Sequence, residues 1–148
     1  MSVASTPTIR TARPGDFASV AGLLRSNDLP VDGVPPSLDV FLVAERDGHV
    51  VGVVGLELYG TDALLRSAVV DASGRGTGLG ARLVNGILAL AQDRGVGALW
   101  LLTTTAEQWF PRFGFSVVTR DDVPPMVRAS REFQGACPAS ATVMRRTG

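Results

Sequence analysis

A glycine-rich stretch in the middle of the chain, RGTGLG at residues 75–80, most restricts the folds available to it. It follows an apolar run, Leu64–Val70, and leads into Leu79–Arg94, where apolar residues recur at helical spacing. The chain is therefore expected to pass from a strand into a helix through a turn of small residues. Glycine lets backbone N–H groups approach a ligand, and the first turn of a helix favours an anion. Such a turn is typical of a phosphate-binding site.

Two common phosphate-binding motifs can be compared with this turn. A P-loop requires Gly-Lys-Ser/Thr at its end, whereas all 14 basic residues of the chain are arginine. A dinucleotide fingerprint is matched by Gly76, Gly78 and Ala81, but it requires an acidic residue about 20 positions later. Residues 99–103 read LWLLT and contain no acid. The sequence therefore excludes a P-loop and disfavours a dinucleotide site.

The length and composition of the chain limit the class of protein to which it can belong. With 148 residues, 45% of them hydrophobic, we expect one domain with its own core over residues 1–148. A formal net charge of zero argues against binding to nucleic acid or to a membrane surface. The sequence shows neither an apolar run of roughly 20 residues nor a signal-peptide pattern, so we expect a cytoplasmic protein. One cysteine and one histidine predict no internal disulfide and no metal site.

Hydrophobic periodicity and turn residues predict the order β, α, loop, β, β, β, α, β, α, β, β. Asp47-Gly48, between two apolar runs, predicts a two-residue hairpin turn, and a second hairpin is expected to turn at residues 60–62. The expected strands are Thr8–Thr11, Phe41–Glu45, His49–Leu58, Leu64–Val70, Ala98–Leu102, Phe115–Thr119 and Ala141–Met144.

Capping residues predict where the helices begin. Asp16 is expected to cap a first helix that ends near Ser26. The second helix, Leu79–Arg94, carries an apolar stripe along one side. Thr105 and Gln108 form a capping-box pattern ahead of a short late helix.

The glycine-rich turn resembles the pyrophosphate loop of the GCN5-related N-acetyltransferases (GNAT), which has Arg/Gln-x-x-Gly-x-Gly/Ala between a strand and a helix. The predicted order of elements is similar to that of this superfamily, and so is the aromatic segment at residues 106–115. The resemblance implies an α/β (α+β) fold with a mixed, mostly antiparallel sheet flanked by helices. It also implies that the middle strands splay apart, with acetyl-CoA as co-substrate at the splay.

The resemblance also implies a set of cofactor-binding residues. Backbone groups of Ala68, Val69 and Val70 are expected to pair with the pantetheine arm. Many superfamily members protonate the departing sulfur with a tyrosine whose matching residue here is Phe110, which has no hydroxyl. A non-catalytic acyl-CoA-binding domain is therefore the alternative to an enzyme. The pyrophosphate is expected to contact the turn itself, which comprises Arg75, Gly76, Thr77, Gly78, Leu79 and Gly80.

Four segments resemble the small N-acetyltransferases of bacterial arsenic-resistance operons. This resemblance implies acetyl transfer to the amine of a small molecule or an amino-acid analogue, by direct attack in a ternary complex. Arsenic or toxin resistance is the biological setting that it implies. Superfamily members often dimerise, so a homodimer is one expected state. The segments are FLVAE at 41–45, LRS at 65–67, LTTTAE at 102–107 and ACPASA at 136–141.

Three residues on neighbouring predicted strands are candidates for catalysis. Glu57 is the only charged residue in Val50–Tyr59, and a carboxylate there can accept the proton of an amine. Arg66 is expected opposite Glu57, where it either forms a structural ion pair or presents a fork to a substrate carboxylate or oxyanion. Tyr59 is either a proton donor or a packing residue. Cys137, with no histidine near it in the sequence, is expected to be a small buried hydrophobe rather than a nucleophile.

Overall fold

Seven strands and three α-helices form the part of the chain that the computed structural model describes, residues 6–136 and 140–147. Within these residues, no helix is both long and apolar enough to cross a membrane. The strands are β1 (Thr8–Thr11), β2 (Phe41–Arg46), β3 (His49–Tyr59), β4 (Asp62–Val70), β5 (Ala98–Thr103), β6 (Ser116–Val118) and β7 (Thr142–Thr147). The helices are α1 (Phe17–Ser26), α2 (Leu79–Asp93) and α3 (Pro125–Arg128).

The strands form one sheet in the order β1-β2-β3-β4-β5-β7-β6. All neighbouring strands are antiparallel except β4 and β5. Helix α2 connects this parallel pair, because parallel neighbours need a long crossover connection. The sheet is mixed and mostly antiparallel with helices on its faces, which confirms the predicted fold class.

Two hairpins build the centre of the sheet. Asp47-Gly48 joins β2 to β3 with φ angles of 53° and 80°, which are the left-handed conformations of a type I′ turn. The predicted turn is therefore confirmed. Strand β4 begins at Asp62, two residues before the predicted Leu64, because Gly60 (φ 67°) and Thr61 suffice for the second turn.

Helix α2 covers one face of the sheet. Its buried side chains recur at spacings of three and four residues, which keeps them on one side of the helix. They belong to one buried cluster with residues of β2, β3, β4, β5 and β7, so the helix covers the centre of the sheet. The buried helix residues are Leu79, Leu83, Val84, Ile87 and Ala91.

The opposite face is covered in two places. Helix α1 packs on β2 and β3, with Leu24 and Phe41 both fully buried in that cluster. Residues 120–136 pack over β4 and β5, where Val127 contacts the cluster around Leu64 and Trp100. The sequence predicted no helix or strand between residues 119 and 141. The short α3 and the turns around it were therefore not predicted.

The predicted cap at the start of α1 is wrong. Asp16 precedes α1, but its carboxylate makes no capping hydrogen bond to that helix. Arg10 Nη1 and the backbone N–H of Arg13 donate to it instead, each at 2.8 Å. Hydrogen bonds from a guanidinium are stronger than those from a neutral amide. The Arg10 hydrogen bond is the main reason that the pKa of Asp16 falls to about 2.

The predicted cap of the late helix is also wrong. Strand β5 continues to Thr103, whose Oγ1 accepts a hydrogen bond from the backbone N–H of Ala106 at 3.0 Å. Thr105 therefore does not cap the turn. The helical piece that follows is a single 3-10 turn, Phe110–Phe113, which ends at Gly114 in the left-handed conformation (φ 92°).

Candidate active site

Strands β4 and β5 pair over a short distance and then diverge. Asp62–Leu64 lies beside Ala98–Trp100, and β4 has no further pairing with β5 among the described residues. Between the diverging ends lies a cavity of about 470 Å³. Strand edges that lose their neighbour present backbone N–H and C=O groups, which need another partner. The predicted splay of the middle strands is therefore present and opens into a cavity.

A β-bulge in β4 forms part of the cavity wall. Val53 pairs with Val69 and Gly55 with Arg66, so two residues of β4 face one residue of β3. Ser67, one of these two, has a φ of 61°, which is uncommon for a residue with a side chain. A bulge interrupts the ladder and bends its strand. Residues Leu65–Val70, which include the predicted Ala68, Val69 and Val70, all line the cavity.

The glycine-rich turn lies next to the cavity, where α2 begins. Gly76 and Gly78 have φ angles of 79° and 82°, and both are exposed. A Cβ at either position would meet no heavy atom within 4 Å. Leu79 is the first residue of α2, so unpaired backbone N–H groups of its first turn adjoin these glycines. Gly80 lines the cavity itself. Open space, left-handed glycines and a helix N-terminus fit an anionic phosphate group.

Arg75 extends from this turn across the cavity mouth. Its Nη2 donates to Asn27 Oδ1 at 2.5 Å, and its Nε donates to the carbonyl oxygen of Val70 at 3.2 Å. Asn27 and Val70 both line the cavity. Thr77, also from the turn, donates its hydroxyl to the carbonyl oxygen of Gly74 at 2.5 Å. The predicted turn residues are thus gathered at one end of the cavity, with Arg75 bridging to the loop after α1.

Aromatic residues form the wall that follows β5. Trp109 and Phe110 both line the cavity. Their rings meet edge to face with centroids 5.0 Å apart, and Phe110 also packs edge to face on Phe115 at 5.6 Å. Phe110 is 6% exposed, so it is a core residue with one side on the cavity. Thr103–Thr105 lines the same region and supplies hydroxyl groups.

Glu57, Arg66 and Tyr59 form one cluster. Arg66 Nη1 donates to Glu57 Oε2 at 2.6 Å, and the Tyr59 hydroxyl donates to Glu57 Oε1 at 2.5 Å. Glu57 pairs with Leu64 and Arg66 pairs with Gly55, so the ion pair is diagonal rather than directly opposite as expected. The structural ion pair is confirmed. Burial first, and then the bond to Glu57, raises the pKa of Tyr59 well above its usual range.

The Arg66 side chain is fully buried, with 0% exposure. Besides Glu57, it donates through Nε to Ser67 Oγ at 3.0 Å and through Nη2 to the carbonyl oxygen of Pro30 at 3.1 Å. Glu132 Oε1 lies 3.7 Å from Nε. These partners hold the guanidinium against the bulge. Its role as a fork for a substrate anion stays a prediction.

Glu132 is a cavity residue that sequence reasoning missed. It opens the π turn Glu132–Ala136, is 5% exposed as a residue and lines the cavity together with Arg66. No local pattern indicates this, because Glu132 meets β4 only through the tertiary packing of residues 120–136. Cys137 lies outside the described residues. Within those residues, no group of three or more His, Cys, Asp or Glu is placed to bind a metal ion.

The family of the chain follows from comparison with known proteins. Residues 37–117 match the family model described as acetyltransferase (GNAT) domain. This match spans more than half of the chain and includes the splayed strands and the glycine-rich turn. The chain belongs to the GNAT acetyltransferase family.

Curated relatives in this family are amino-acid acetyltransferases. That of Ralstonia nicotianae is 37% identical over 86 residues, which cover 57% of this chain and 19% of the relative. That of Neisseria meningitidis serogroup A is 25% identical over 139 residues, which cover 86% of this chain and 31% of the relative. The chain therefore spans less than a third of the length of either relative.

Several solved structures with the same fold contain coenzyme A. N-acetylglutamate synthase from Neisseria gonorrhoeae, complexed with coenzyme A and L-arginine, has a TM-score of 0.80 and 23% identity, and the match covers 97% of this chain and 33% of that chain. Rv2747 from Mycobacterium tuberculosis, in complex with CoA and NLQ, has a TM-score of 0.81 and 22% identity, with coverage of 96% and 99%.

Proposed function

We propose that this chain is an acetyl-CoA-dependent N-acetyltransferase that acts on the amine of a small molecule by direct attack in a ternary complex. One observation carries the proposal. The separation of β4 from β5 beyond Leu64 opens a cavity of about 470 Å³ that reaches from the glycine-rich turn to the β4 bulge. A molecule with an anionic end and an extended amide-containing arm suits this shape. Coenzyme A bound to several solved structures of the same fold supports the proposal.

The residues present fit such a co-substrate. Gly76 and Gly78 leave open space in front of the N-terminus of α2, where a pyrophosphate would receive backbone hydrogen bonds. Arg75 would add its positive charge to this pyrophosphate site once its hydrogen bond to Asn27 is broken. The free edge of Ala68–Val70 offers backbone partners for the two pantetheine amides. Phe110 would pack against the apolar part of the arm.

The transfer requires an oxyanion donor and a proton acceptor. A backbone N–H group at the bulge, at Val69 or a neighbour, is our proposed donor to the developing oxyanion. Glu57 is the acceptor predicted from the sequence, either directly or through a water molecule, and Glu132, which lines the cavity, is a second candidate acceptor. Arg66 holds the Glu57 carboxylate in place. Tyr59 donates to that carboxylate. The sequence predicts Tyr59 as a proton donor to the leaving sulfur, although the cavity lining does not include it.

A thermal-shift titration with acetyl-CoA, CoA, NADP and ATP tests cofactor binding. A ligand that binds only the folded state raises the melting temperature. We expect a shift with acetyl-CoA and CoA alone. Release of the CoA thiol in the presence of an amine panel then tests catalysis. A shift with NADP or ATP alone, or with none of the four, would refute the assignment of the cavity.

A non-catalytic acyl-CoA-binding domain is the second candidate function. The observation that favours it is Phe110, which places a hydrocarbon ring in the cavity wall where many GNAT enzymes have a tyrosine hydroxyl. Such a domain would show the acetyl-CoA thermal shift but release no CoA with any amine. Thiol release therefore distinguishes the two candidates.

The acceptor panel follows from the relatives. The curated relatives are amino-acid acetyltransferases, and one solved structure of N-acetylglutamate synthase contains N-acetyl-glutamate. We propose an amino acid or a small amine as acceptor, so the panel contains L-glutamate, L-glutamine and simple alkylamines. The resemblance to arsenic-operon enzymes adds a toxic amino-acid analogue, and resistance of cells that express the chain tests that setting.

Three further features belong to the proposal. We propose that residues 1–148 act as one domain, that the protein is cytoplasmic and that it is a homodimer. The first is supported by the sheet, which draws strands from both ends of the described residues. Light scattering of the purified chain measures its mass in solution, and fractionation of expressing cells locates it.

A further inference from the structure

Glu132 is a buried acidic residue that lines the cavity, and it differs in this respect from Glu57. Glu132 and the exposed Asp28 are the acidic residues among the described residues that line the cavity, whereas Glu57 is absent from that lining. The Glu132 side chain is only 6% exposed. We infer that Glu132 binds the ammonium group of the acceptor and takes its proton. This inference rests on the acetyl transfer proposed above.

The position of Glu132 relative to the bulge supports this role. Its Oε1 lies 3.7 Å from Arg66 Nε, and the same Nε donates to Ser67 Oγ at 3.0 Å. The carboxylate and Ser67 thus contact the same guanidinium nitrogen, and the proposed oxyanion donor follows Ser67 within two residues. A separation of 3.7 Å exceeds hydrogen-bond length, so the contact with Arg66 is Coulombic. A carboxylate at this position would attract an ammonium group and hold the acceptor nitrogen near the bulge.

Glu57 has the geometry of a positioning residue. Both of its carboxylate oxygens are engaged, one by Tyr59 at 2.5 Å and the other by Arg66 at 2.6 Å. Tyr59 keeps its proton, because burial raises its pKa. Arg66 lies between Glu57 and Glu132 with its side chain fully buried. A proton from the acceptor would therefore meet Glu132 first, and Glu57 would act through Arg66.

The proton balance of the step can be written out. The acceptor ammonium gives one proton to the Glu132 carboxylate, which leaves a neutral amine beside the bulge. The nitrogen lone pair attacks the thioester carbonyl carbon, forming the C–N bond, and the C–S bond then breaks with its electron pair on sulfur. The second nitrogen proton is lost as the amide forms, and it neutralises the departing thiolate in solution. Glu132 returns its proton to solvent after release of the product.

The pH dependence of this proton transfer involves several titratable or charged groups connected with Glu132. Some come from its own segment and others from the strands and the loop that border the cavity. Arg66 on β4 contacts Glu132, and Glu57 and Tyr59 on β3 are linked to it through Arg66. Arg131 precedes Glu132 in the chain, and Asp28 after α1 lines the same cavity.

The test compares Glu132→Gln with Glu57→Gln and with Glu107→Gln, an exposed glutamate that accepts from Thr142. The probe is whichever alkylammonium acceptor of the panel gives the wild-type protein its highest kcat/KM. We expect Glu132→Gln to lower kcat/KM by about 10²-fold or more near pH 7, because general bases contribute about 10²–10⁴-fold. The deficit should shrink as rising pH deprotonates the acceptor in solution. Glu132→Asp should recover part of kcat/KM, and Glu107→Gln should match wild type.

The acetyl-CoA thermal shift of each variant shows that the cavity is intact. Glu57→Gln should keep the wild-type shape of the pH–rate profile, since Glu57 acts only through Arg66. An undiminished kcat/KM in Glu132→Gln near pH 7, or a loss that is equal at every pH, would overturn the inference. If the wild-type protein releases no CoA with any amine, the proposed function itself fails, and that result is distinct from failure of the Glu132 role alone.

Discussion

Replacing Gly78 with valine separates the contribution of the glycine-rich turn to folding from its contribution to binding. Gly78 has a φ of 82°, and a Cβ at this position would have no heavy atom within 4 Å. Gly48, in the hairpin turn between β2 and β3, has a φ of 80° and equally open surroundings. Valine at either position therefore meets left-handed backbone strain without a clash, which makes Gly48→Val a matched control.

The two substitutions should cost the fold the same amount. A side chain held in the left-handed region costs about 1–3 kcal/mol. In a domain of this size, 1 kcal/mol lowers the melting temperature by about 3 °C, so both variants should melt about 3–9 °C below wild type. Acetyl-CoA at 100 times its Kd adds about 2.7 kcal/mol of stability, or roughly 8 °C. We expect that increase in wild type and Gly48→Val, and none in Gly78→Val.

Differential scanning fluorimetry with and without acetyl-CoA measures both effects on one sample. The ligand-free melting temperatures report the backbone strain, and the ligand-induced increments report binding. A full increment in Gly78→Val would show that the pyrophosphate lies elsewhere. Loss of the increment in Gly48→Val would show that strain alone, rather than the position of the turn, prevents binding.

Three other substitutions test the packing and electrostatics of the fold. Arg66→Met should lower the free energy of unfolding by about 3–5 kcal/mol in urea titrations, because it leaves the Glu57 carboxylate without its buried partner. Asp16→Asn should remove about 2 kcal/mol at neutral pH, since Arg10 lowers the Asp16 pKa from 3.8 to about 2. That difference between wild type and variant should shrink as the pH falls below 3.8 and vanish below about 2. Phe110→Ala should cost about 3–5 kcal/mol and raise the Kd for acetyl-CoA, whereas an unchanged Kd would place the pantetheine arm elsewhere.

Local sequence signals predicted the elements that local physics determines. Asp47-Gly48 needs only its own two left-handed residues to form the hairpin turn, and the structure has that turn. The apolar stripe of α2 likewise predicted which face of the helix is buried. The helix ends at Asp93, one residue before the predicted end at Arg94. The glycine-rich turn between strand and helix was similarly predictable, because the positive φ angles of Gly76 and Gly78 favour glycine.

Features that depend on pairing between distant residues were not predictable in this way. The bulge at Ser67 arises from the register of β4 against β3, and no residue type at that position indicates it. Asp16 looked like a helix cap, but Arg10 competes successfully for its carboxylate. Glu132 enters the cavity because residues 120–136 fold back over β4 and β5, which no periodicity in that segment indicates.

The short contact between β4 and β5 has a consequence for how the molecule opens. The sheet has a four-stranded part, β1 to β4, and a three-stranded part, β5 to β7. Within residues 6–136 and 140–147, the two parts are paired only where Asp62–Leu64 lies beside Ala98–Trp100, and α2 shares a buried cluster with strands of both parts. Amide protons on the facing edges beyond this contact should exchange rapidly with deuterium in the free protein. A bound pantetheine arm would act as a substitute strand, slow that exchange and make the two parts unfold as one cooperative unit.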